Sequence, residues 1–230
     1  LMSVDGKIST GVGNIRDFDS DLPNIAGAKE GLSQYYEIEK TTDIWSMNSG
    51  AVMKKMGVNY NPLVEKTDVN FVVIDNTHLT IKGVVHFINR SNKFVLVTSN
   101  RNHPAYSINS DNMSILYYEN YVDFHDMFNR LKKEHGCDAV TVQTGGTING
   151  ILLRQGLFDK INIVVTPILV GGKDTPTLID GESLSGSYNS LTDLGVLKLD
   201  KVTVLKNNYI QLQYDIIKKN RKVTGTTNLF

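Results

Sequence analysis

The sequence has few of the features that mark specialised protein classes. Its single cysteine, Cys137, excludes an intrachain disulfide, which is typical of a reducing compartment, and we expect the cytoplasm. Lys plus Arg and Asp plus Glu number 24 each, so the chain lacks the excess positive charge that attracts nucleic acid or anionic lipid. The most apolar run, residues 161–170, is interrupted by Thr166 and Pro167 and is far too short to span a bilayer. We therefore expect neither nucleic acid nor membrane as a partner.

Several common catalytic and nucleotide-binding patterns are also absent. The five histidines show no metal-ligand spacing, and no Gly-x-Ser-x-Gly motif marks a nucleophilic serine. The sequence contains neither a Walker loop nor the Gly-x-Gly-x-x-Gly pattern of the two commonest nucleotide folds. We therefore expect no metal site, and we expect the lone His103 to be a surface residue.

An alternation of strand and helix patterns is present instead. Apolar runs at 71–74 and 94–97 are typical of interior strands covered on both faces. The clearest helix is predicted over 123–135, and Gly136 can end it. The segment 196–217 predicts an antiparallel hairpin that turns at Asn207-Asn208. Further strands are predicted over 43–47, 139–142 and 161–166, and further helices over 24–41, 49–56 and 147–155, with Ser49 as a cap. The pattern predicts one α/β domain over residues 1–230 with a mixed sheet.

The strongest local signal is a strand that runs into two glycines and then a helix, at residues 142–150. Paired glycines let the backbone approach a bulky ligand, and the first N–H groups of a helix favour a phosphate. Thr147 adds a hydroxyl at this position. A tight turn that needs glycine for steric reasons alone stays an alternative for this fragment.

Two other segments place polar residues at predicted strand ends. Thr98-Ser99-Asn100-Arg101 follows the run 94–97, where an arginine fork can hold the 2′-phosphate of NADPH; a solvated loop is the alternative. Residues 2–8 end an apolar strand in Asp5-Gly6-Lys7, which a plain turn explains as well. Because residues 1–4 read like the end of a strand, we expect a few residues to precede them in the natural protein.

Together these stretches resemble the reductase domain of riboflavin-biosynthesis proteins, the RibD C-terminal domain family. The matching stretches are residues 2–8, MSVDGKI, and residues 143–172, QTGGTINGILLRQGLFDKINIVVTPILVGG. In order and spacing, the resemblance covers nearly the whole chain. It implies a three-layer, dihydrofolate-reductase-like α/β/α fold with a mostly parallel sheet, a homodimer, and NADPH as cofactor. It also implies reduction of the ribose of a phosphoribosylaminopyrimidine to a ribityl chain.

The resemblance further implies residue roles. Lys7 and Asp5 would be catalytic and face the substrate, with Lys7 polarising the reacting sugar. Residues 1–3, Ser3 among them, would lie close to the nicotinamide, and the glycine loop at 11–13 would close over the site. Thr98 and Ser99 would lie near the adenosine end, with Arg101 on the 2′-phosphate. The remaining cofactor-binding residues would be Thr144, Gly145, Gly146, Thr147, Ile148, Asn149 and Gly150.

Positions on the substrate side depart from the family pattern. Thr144 stands where these enzymes usually carry a glutamate, and Glu39-Lys40 stands where they tend to have an arginine. The segment 54–57, which begins with Lys54, replaces an Ala-Asp-Asp-Pro-like segment. We therefore expect NADPH use and leave the substrate open. The alternatives are a reductase of a pterin-like or other small imine or carbonyl compound, and an NADP(H)-binding sensor with little turnover.

Overall fold

The computed structural model describes residues 1–13, 16–184, 191 and 193–217. The domain predicted over 1–230 therefore includes positions outside the described residues, 218–230 among them. The strands and α-helices are, in chain order, β1 (Met2–Ser3), α1 (Phe18–Asp21), α2 (Ser33–Glu39), β2 (Trp45–Ser49), α3 (Gly50–Lys55), β3 (Asn70–Ile74), α4 (Ile81–Arg90), β4 (Phe94–Thr98), β5 (Met113–Tyr117), α5 (Phe124–His135), β6 (Thr141–Gln143), α6 (Gly146–Arg154), β7 (Lys160–Thr166), β8 (Leu197–Val204) and β9 (Ile210–Ile216).

Five strands form a parallel sheet in the order β5-β4-β3-β2-β6. Its central strands are apolar on both faces because helices cover both faces. On one face, Met47 and Val72 pack with Met127 of α5 and Leu152 of α6. On the other face, Val73 packs in a second cluster with residues of α3 and α4. The predicted three-layer α/β/α arrangement is therefore confirmed for this sheet.

The remaining strands form a second sheet in the order β1-β7-β9-β8. β1 is parallel to β7, whereas β9 is antiparallel to both of its neighbours. The C-terminal hairpin is confirmed, and its turn residues Asn207 and Asn208 both have positive φ, 56° and 64°, as a two-residue type I′ turn requires. The mixed sheet expected from the sequence is thus divided into a parallel part and a largely antiparallel part.

Local predictions differ in how well they agree with the structure. Helix α5 is confirmed, and Gly136 ends it with φ of 71°. The helix predicted over 24–41 is wrong in its first half, because Gly27 adopts φ of 89° and only Ser33–Glu39 is α-helical. Helix α4 and strand β5 are missing from the sequence prediction. Over the described residues, every helix is too short or too polar to cross a membrane.

Candidate functional site

Two neighbouring cavities lie at the carboxyl edge of the parallel sheet, where ligands collect in open α/β sheets. The first has a volume of about 340 Å³ and is lined by Ser49, Ala51, Val52, Lys55, Ile74, Asp75, Asn76, His78, Gly145, Thr147 and Ile148. The second has a volume of about 370 Å³ and is lined by Asn76, Ser99, Asn120, Tyr121, Val122, Phe124, Ile151 and Gln155. Asn76 lines both cavities, so they adjoin one another.

Asn76 also links the ends of β3 and β4. Its side-chain Oδ1 accepts hydrogen bonds from the Thr98 hydroxyl, at 3.0 Å, and from the Ser99 backbone N–H, at 2.8 Å. The Asn100 side chain donates to the Asn76 carbonyl at 2.6 Å. Thr98 is fully buried beneath this network, whereas Ser99 lines the second cavity. Sequence reasoning missed Asn76, although the rule that singled out Thr98 at the end of β4 applies equally to the end of β3.

A buried carboxylate, Asp75, lies beside Asn76. His103 Nε2 donates to Asp75 Oδ2 at 3.0 Å, and both side chains are fully buried. The Leu79 N–H donates to the same oxygen at 2.8 Å, and the His78 ring Nδ1 lies 2.9 Å from Oδ1. Burial raises the pKa of Asp75, but these hydrogen bonds outweigh it and hold the pKa at about 2. The expectation that His103 is a surface residue is wrong, because this pairing with a distant carboxylate draws it into the interior.

The start of α6 borders the first cavity. Gly145 occupies the N-cap position, and a Cβ added there would meet only Val52, at 3.9 Å. Gly146 and Gly150 face the other way: a Cβ at Gly146 would lie 2.3 Å from the Thr177 carbonyl oxygen, and one at Gly150 would lie 2.1 Å from a backbone oxygen of residue 180. At these two positions the lack of a side chain makes room for the protein's own backbone. The presence of glycine there is therefore explained by close packing, without a ligand.

The segment 176–180 connects α6 to the turn at residues 5–7. On one side, the Asn149 amide donates to the Leu178 carbonyl at 3.0 Å, and Asn149 also accepts from the Thr144 hydroxyl at 2.7 Å. On the other side, the Leu178 N–H donates to the Gly6 carbonyl at 3.2 Å, and Lys7 pairs with Thr177 in an antiparallel bridge. The sequence-predicted cofactor and catalytic segments are therefore tied together through this segment.

Ser3, Asp5 and Lys7 form a tight turn against the loop at residues 170–175. The Asp5 carboxylate accepts from the Ser3 hydroxyl at 2.6 Å and from the Gly171 N–H at 2.6 Å, and these bonds lower its pKa to about 2. The Lys7 ammonium donates to the carbonyls of Gly172, at 2.7 Å, and Thr175, at 3.0 Å. Among the described contacts, no ion pair joins Asp5 to Lys7.

Arg101, a further predicted cofactor-binding residue, interacts with β5 and the residues that follow it. Its Nε donates to the Tyr117 hydroxyl at 2.7 Å, and its guanidinium lies 3.3 Å from Glu119. The side chain is 70% exposed. Arg101 is not part of the described lining of either cavity.

A polar network fills the space near Thr144, where the family pattern is not kept. The Gln143 side chain donates to the Glu39 carboxylate and accepts from the Ser46 hydroxyl at 2.8 Å. The buried Asn48 side chain donates to the same Ser46 hydroxyl at 2.9 Å. The structure thus brings an acidic residue of α2 to the residue that precedes Thr144.

Comparison with known proteins shows what this chain is similar to. The model of the RibD C-terminal domain matches residues 1–209. The 2,5-diamino-6-ribosylamino-4(3H)-pyrimidinone 5′-phosphate reductase of Methanothermobacter thermautotrophicus is 36% identical over 63 residues, which are 27% of this chain and 29% of that protein. The riboflavin biosynthesis protein RibD of Bacillus amyloliquefaciens is 33% identical over 70 residues, 30% of this chain and 18% of that protein. The chain thus matches less than a third of the length of either relative.

Solved structures share the fold at low sequence identity. RibD of Acinetobacter baumannii superposes with a TM-score of 0.65 and 15% identity, covering 94% of this chain and 56% of that one. A pyrimidine reductase-like protein of Corynebacterium diphtheriae gives a TM-score of 0.57 and 11% identity, covering 95% of this chain and 90% of that one. With the family model spanning most of its length, the chain belongs to the RibD C-terminal domain family.

Proposed function

We propose that the protein is an NADPH-dependent reductase that converts the ribosyl group of a phosphoribosylaminopyrimidine into a ribityl chain. The observation that carries the proposal is the pair of adjoining cavities at the carboxyl edge of the parallel sheet, with α6 beginning at one of them. Family membership supports a reductase, and a relative named as a diaminopyrimidinone phosphate reductase supplies the substrate class.

The residues of the first cavity fit the phosphate end of a dinucleotide. Gly145 has no side chain to obstruct the start of α6, Thr147 offers a hydroxyl, and Lys55 adds a cation. Free N–H groups at the start of a helix stabilise anions. We therefore assign the cofactor diphosphate to this cavity, held by Gly145, Thr147 and Ile148.

The second cavity fits an adenine ring. Tyr121, Val122 and Ile151 give it an apolar wall, and the Tyr121 side chain is 78% exposed and so available for stacking. Ser99 and Gln155 supply polar groups, and Gln155 Oε1 has no hydrogen-bond partner among the described residues. An acceptor without a partner matches the amino group of adenine. The adenosine end would thus lie against Ser99 and above the buried Thr98.

NADPH, when bound, supplies the hydride. Lys7 remains our catalytic residue: the two hydrogen bonds described for its ammonium leave one of its three N–H donors for an oxygen of the substrate sugar. The carbonyls of Gly172 and Thr175 fix the position of that donor. Lys7 would therefore polarise the reacting sugar and stabilise charge on the atom next to the carbon that is reduced.

In this proposal Asp5 does not donate a proton in the reaction. Because its pKa is about 2, Asp5 is a carboxylate near neutral pH, and its oxygens are occupied by Ser3, Val170 and Gly171. It would hold the loop whose carbonyls bind Lys7, and Ser3 would shape the same turn. In this proposal Asp5 and Ser3 position Lys7, whereas Lys7 contacts the substrate.

One observation favours a second candidate, an NADP(H)-binding sensor with little turnover. Both charged groups of the 5–7 turn are engaged by their own chain, and the position of the usual glutamate is occupied by Thr144. A sensor would keep the two cavities but would not catalyse hydride transfer. A reductase of a pterin-like or other imine substrate would keep the two cavities and also transfer the hydride.

The test is a fluorescence titration of the purified protein with NADPH and NADH, followed by addition of the phosphoribosylaminopyrimidine. We expect tighter binding of NADPH and a substrate-dependent loss of its fluorescence. Binding without oxidation of NADPH by any pyrimidine or pterin would support the sensor. Failure to bind either nucleotide would contradict the proposal.

Two further properties belong to the proposal. Strand β8 is the outer strand of the second sheet and exposes apolar side chains, including Leu199 at 51% and Val202 at 50%. Within the part of the chain that the structure describes, no strand pairs with this edge; it matches the same edge of a second copy, so we propose a homodimer. We also propose a cytoplasmic location, since Cys137 is buried and burial, with the nearby Asp138 and Asp43, raises its thiol pKa to about 11, which suits an unreactive thiol in a reducing compartment.

A further inference from the structure

A polar network on the paired strands β2 and β6 lies next to the first cavity, and the proposed cofactor contacts do not use it. Asn48 and Gln143 are opposite each other in these two parallel strands. Each is close in sequence to a residue that lines the cavity, since Ser49 follows Asn48 and Gly145 lies two positions after Gln143. The network is therefore placed where a second ligand beside the cofactor can reach it.

The Glu39 carboxylate fixes the direction of every hydrogen bond in this network, because a carboxylate only accepts. The Gln143 amide nitrogen therefore faces Glu39, and the Gln143 amide oxygen accepts from the Ser46 hydroxyl at 2.8 Å. Ser46, having donated, accepts from the Asn48 amide nitrogen at 2.9 Å. The Oδ1 atom of Asn48 is thus left at the end of this chain of hydrogen bonds.

Asn48 Oδ1 is an acceptor that lacks a donor. Asn48 is only 3% exposed, and among the described residues no group donates to its Oδ1. The nearby Thr144 hydroxyl is committed elsewhere, since it donates to Asn149 at 2.7 Å. A buried acceptor without a partner is unfavourable, because it has left water without gaining a new hydrogen bond. A ligand with an N–H group would supply the missing donor.

Glu39 offers a second acceptor. Both hydrogen bonds described for its carboxylate go to Oε1, one from Gln143 and one from the Tyr35 hydroxyl at 3.3 Å. Burial, together with the nearby Glu39 and Asp19 carboxylates, raises the pKa of Tyr35, so its hydroxyl keeps the proton that it donates. Within the part of the chain that the structure describes, nothing donates to Glu39 Oε2. This half-buried oxygen is therefore left to accept from a ligand.

Glu39 is also near the strand that leads to the proposed catalytic lysine. The nitrogen of Leu1, the residue before β1, interacts electrostatically with the Glu39 carboxylate. At the other end of β1, the Ser3 N–H donates to the Lys7 carbonyl at 2.8 Å. Glu39 and Lys7 therefore flank a strand of two residues, which rises roughly 3.3 Å per residue, a span that one substrate molecule can cover.

We infer that Glu39 and Asn48 bind the 2-amino side of a 2-aminopyrimidinone ring, so that the protein selects this ring over uracil. The inference rests on the proposed function for the substrate class, a pyrimidine. A 2-aminopyrimidinone presents two adjacent donors, the 2-amino group and N3–H, to the two acceptors. Uracil carries a carbonyl oxygen at position 2, which would face the carboxylate and leave a buried acceptor without a donor.

Two free bases that differ in the group at position 2 test the inference without turnover. They are 2,6-diaminopyrimidin-4-one and 6-aminouracil, and calorimetry measures their binding to the protein saturated with NADP⁺. We expect the diamino base to bind at least about tenfold more tightly, because only this base supplies a donor at position 2. Equal affinities, or tighter binding of 6-aminouracil, would overturn the inference.

A variant separates direct contact from a structural role of Glu39. Glu39→Gln can still accept from Gln143 through its amide oxygen, but it presents an N–H₂ group in place of Oε2. We expect it to lose the preference for the diamino base and to bind 6-aminouracil at least as well as the wild type. Glu37→Gln is the matched control, since Glu37 lies on the same helix and is 70% exposed beside Lys40.

The ratio of the two affinities decides between the roles, because a structural role would weaken both bases alike. An unchanged ratio in Glu39→Gln would therefore remove Glu39 from the recognition of the ring. Thermal unfolding of both variants checks that the fold is kept.

The complete substrates separate this inference from the proposed function. Single-turnover oxidation of NADPH is measured with 2,5-diamino-6-ribosylamino-4(3H)-pyrimidinone 5′-phosphate and with 5-amino-6-(5-phosphoribosylamino)uracil. We expect kcat/KM to be at least about tenfold higher for the diamino compound. Equal values would overturn the inference and leave the proposed function standing. Selective binding of the diamino base without oxidation of NADPH by either substrate would support the inference and end the proposed function.

Discussion

The carboxylate of Asp75 and the imidazole of His103 form a fully buried pair, with Asp75 Oδ2 3.0 Å from His103 Nε2. They come from different strand ends, since Asp75 follows β3 and His103 follows the loop after β4. Because the ring also accepts from the Ala105 N–H, the pair fixes the backbone after β4 against the end of β3. Both cavities are built on this junction.

Replacing Asp75 is expected to destabilise the protein strongly. Asp75→Asn puts an amide N–H₂ among groups that are themselves donors, so we expect a loss of about 3 kcal/mol in the free energy of unfolding. Urea denaturation of the variant measures the loss. Asp111→Asn, at an exposed aspartate, is the control and should change the stability little. A change below about 0.5 kcal/mol in Asp75→Asn would show that the cluster is not structural.

The low pKa of Asp75 predicts how the free energy of unfolding changes at acidic pH. The folded-state pKa of Asp75 is about 2, below the usual value of about 3.9 in an unfolded chain. Its stabilising contribution is therefore complete above about pH 4 and is lost as pH falls toward about 2. Unfolding free energies measured across this window should fall more steeply for the wild type than for Asp75→Asn. Parallel profiles would contradict the assignment.

Two glycines of the α6 region are expected to behave in opposite ways. Gly145 has φ of −77°, and a Cβ added there would lie 3.9 Å from the nearest atom, which belongs to Val52. Gly145→Ala should therefore fold normally and weaken NADPH binding. Gly150→Ala places a Cβ 2.1 Å from a backbone oxygen and should lose about 1–3 kcal/mol of stability. Chemical denaturation and NADPH titration of both variants check the pair. Normal stability of Gly150→Ala would mean that segment 176–180 does not pack on α6 as described.

Lys7 is expected to matter for the reaction more than for cofactor binding. Lys7→Met should lower the rate of hydride transfer about a hundredfold at saturating NADPH, with NADPH affinity nearly unchanged. Single-turnover oxidation of NADPH measures the step directly. Lys173→Met, in the exposed loop that Lys7 contacts, is the control. An undiminished single-turnover rate in Lys7→Met would remove Lys7 from the catalytic role.

The edge strand β8 gives a prediction about assembly. Val202→Lys adds a charge in the middle of the exposed apolar strip and should convert a dimer into a monomer, because a charge is costly to bury in an interface. Sedimentation or light scattering measures the mass. Ile81→Lys, at an equally exposed apolar residue of α4, is the control and should stay dimeric. A monomeric wild type would end this part of the proposal.

The parts of the fold that follow from local pattern could be predicted from the sequence. The apolar runs that form β3 and β4, the stripe of α5 and the turn at Asn207-Asn208 each carry their own signal within a few residues. Helix 24–41 failed because Gly27 takes a positive φ, a conformation that helical spacing does not reveal. Helix α4 does have an N-cap signal, Thr80, whose hydroxyl accepts from the Gly83 N–H, so its absence from the prediction was avoidable.

The site was harder to predict because its contacts join distant parts of the chain. Gly146 reads as a ligand cradle in sequence, yet the atoms that come closest to it belong to Thr177 and Asp180. The pairing of His103 with Asp75 spans 28 positions, and nothing near His103 indicates a buried carboxylate. Of these residues, only Asn76 could have been predicted from the sequence, since it lies at the end of a buried strand, as Thr98 does.

Segment 176–180 touches both the turn that carries Lys7 and the start of α6. A single short stretch of chain therefore sets the spacing between the lysine and the helix. A residue inserted into or removed from this stretch would therefore change the distance between Lys7 and α6, although neither of them had been altered.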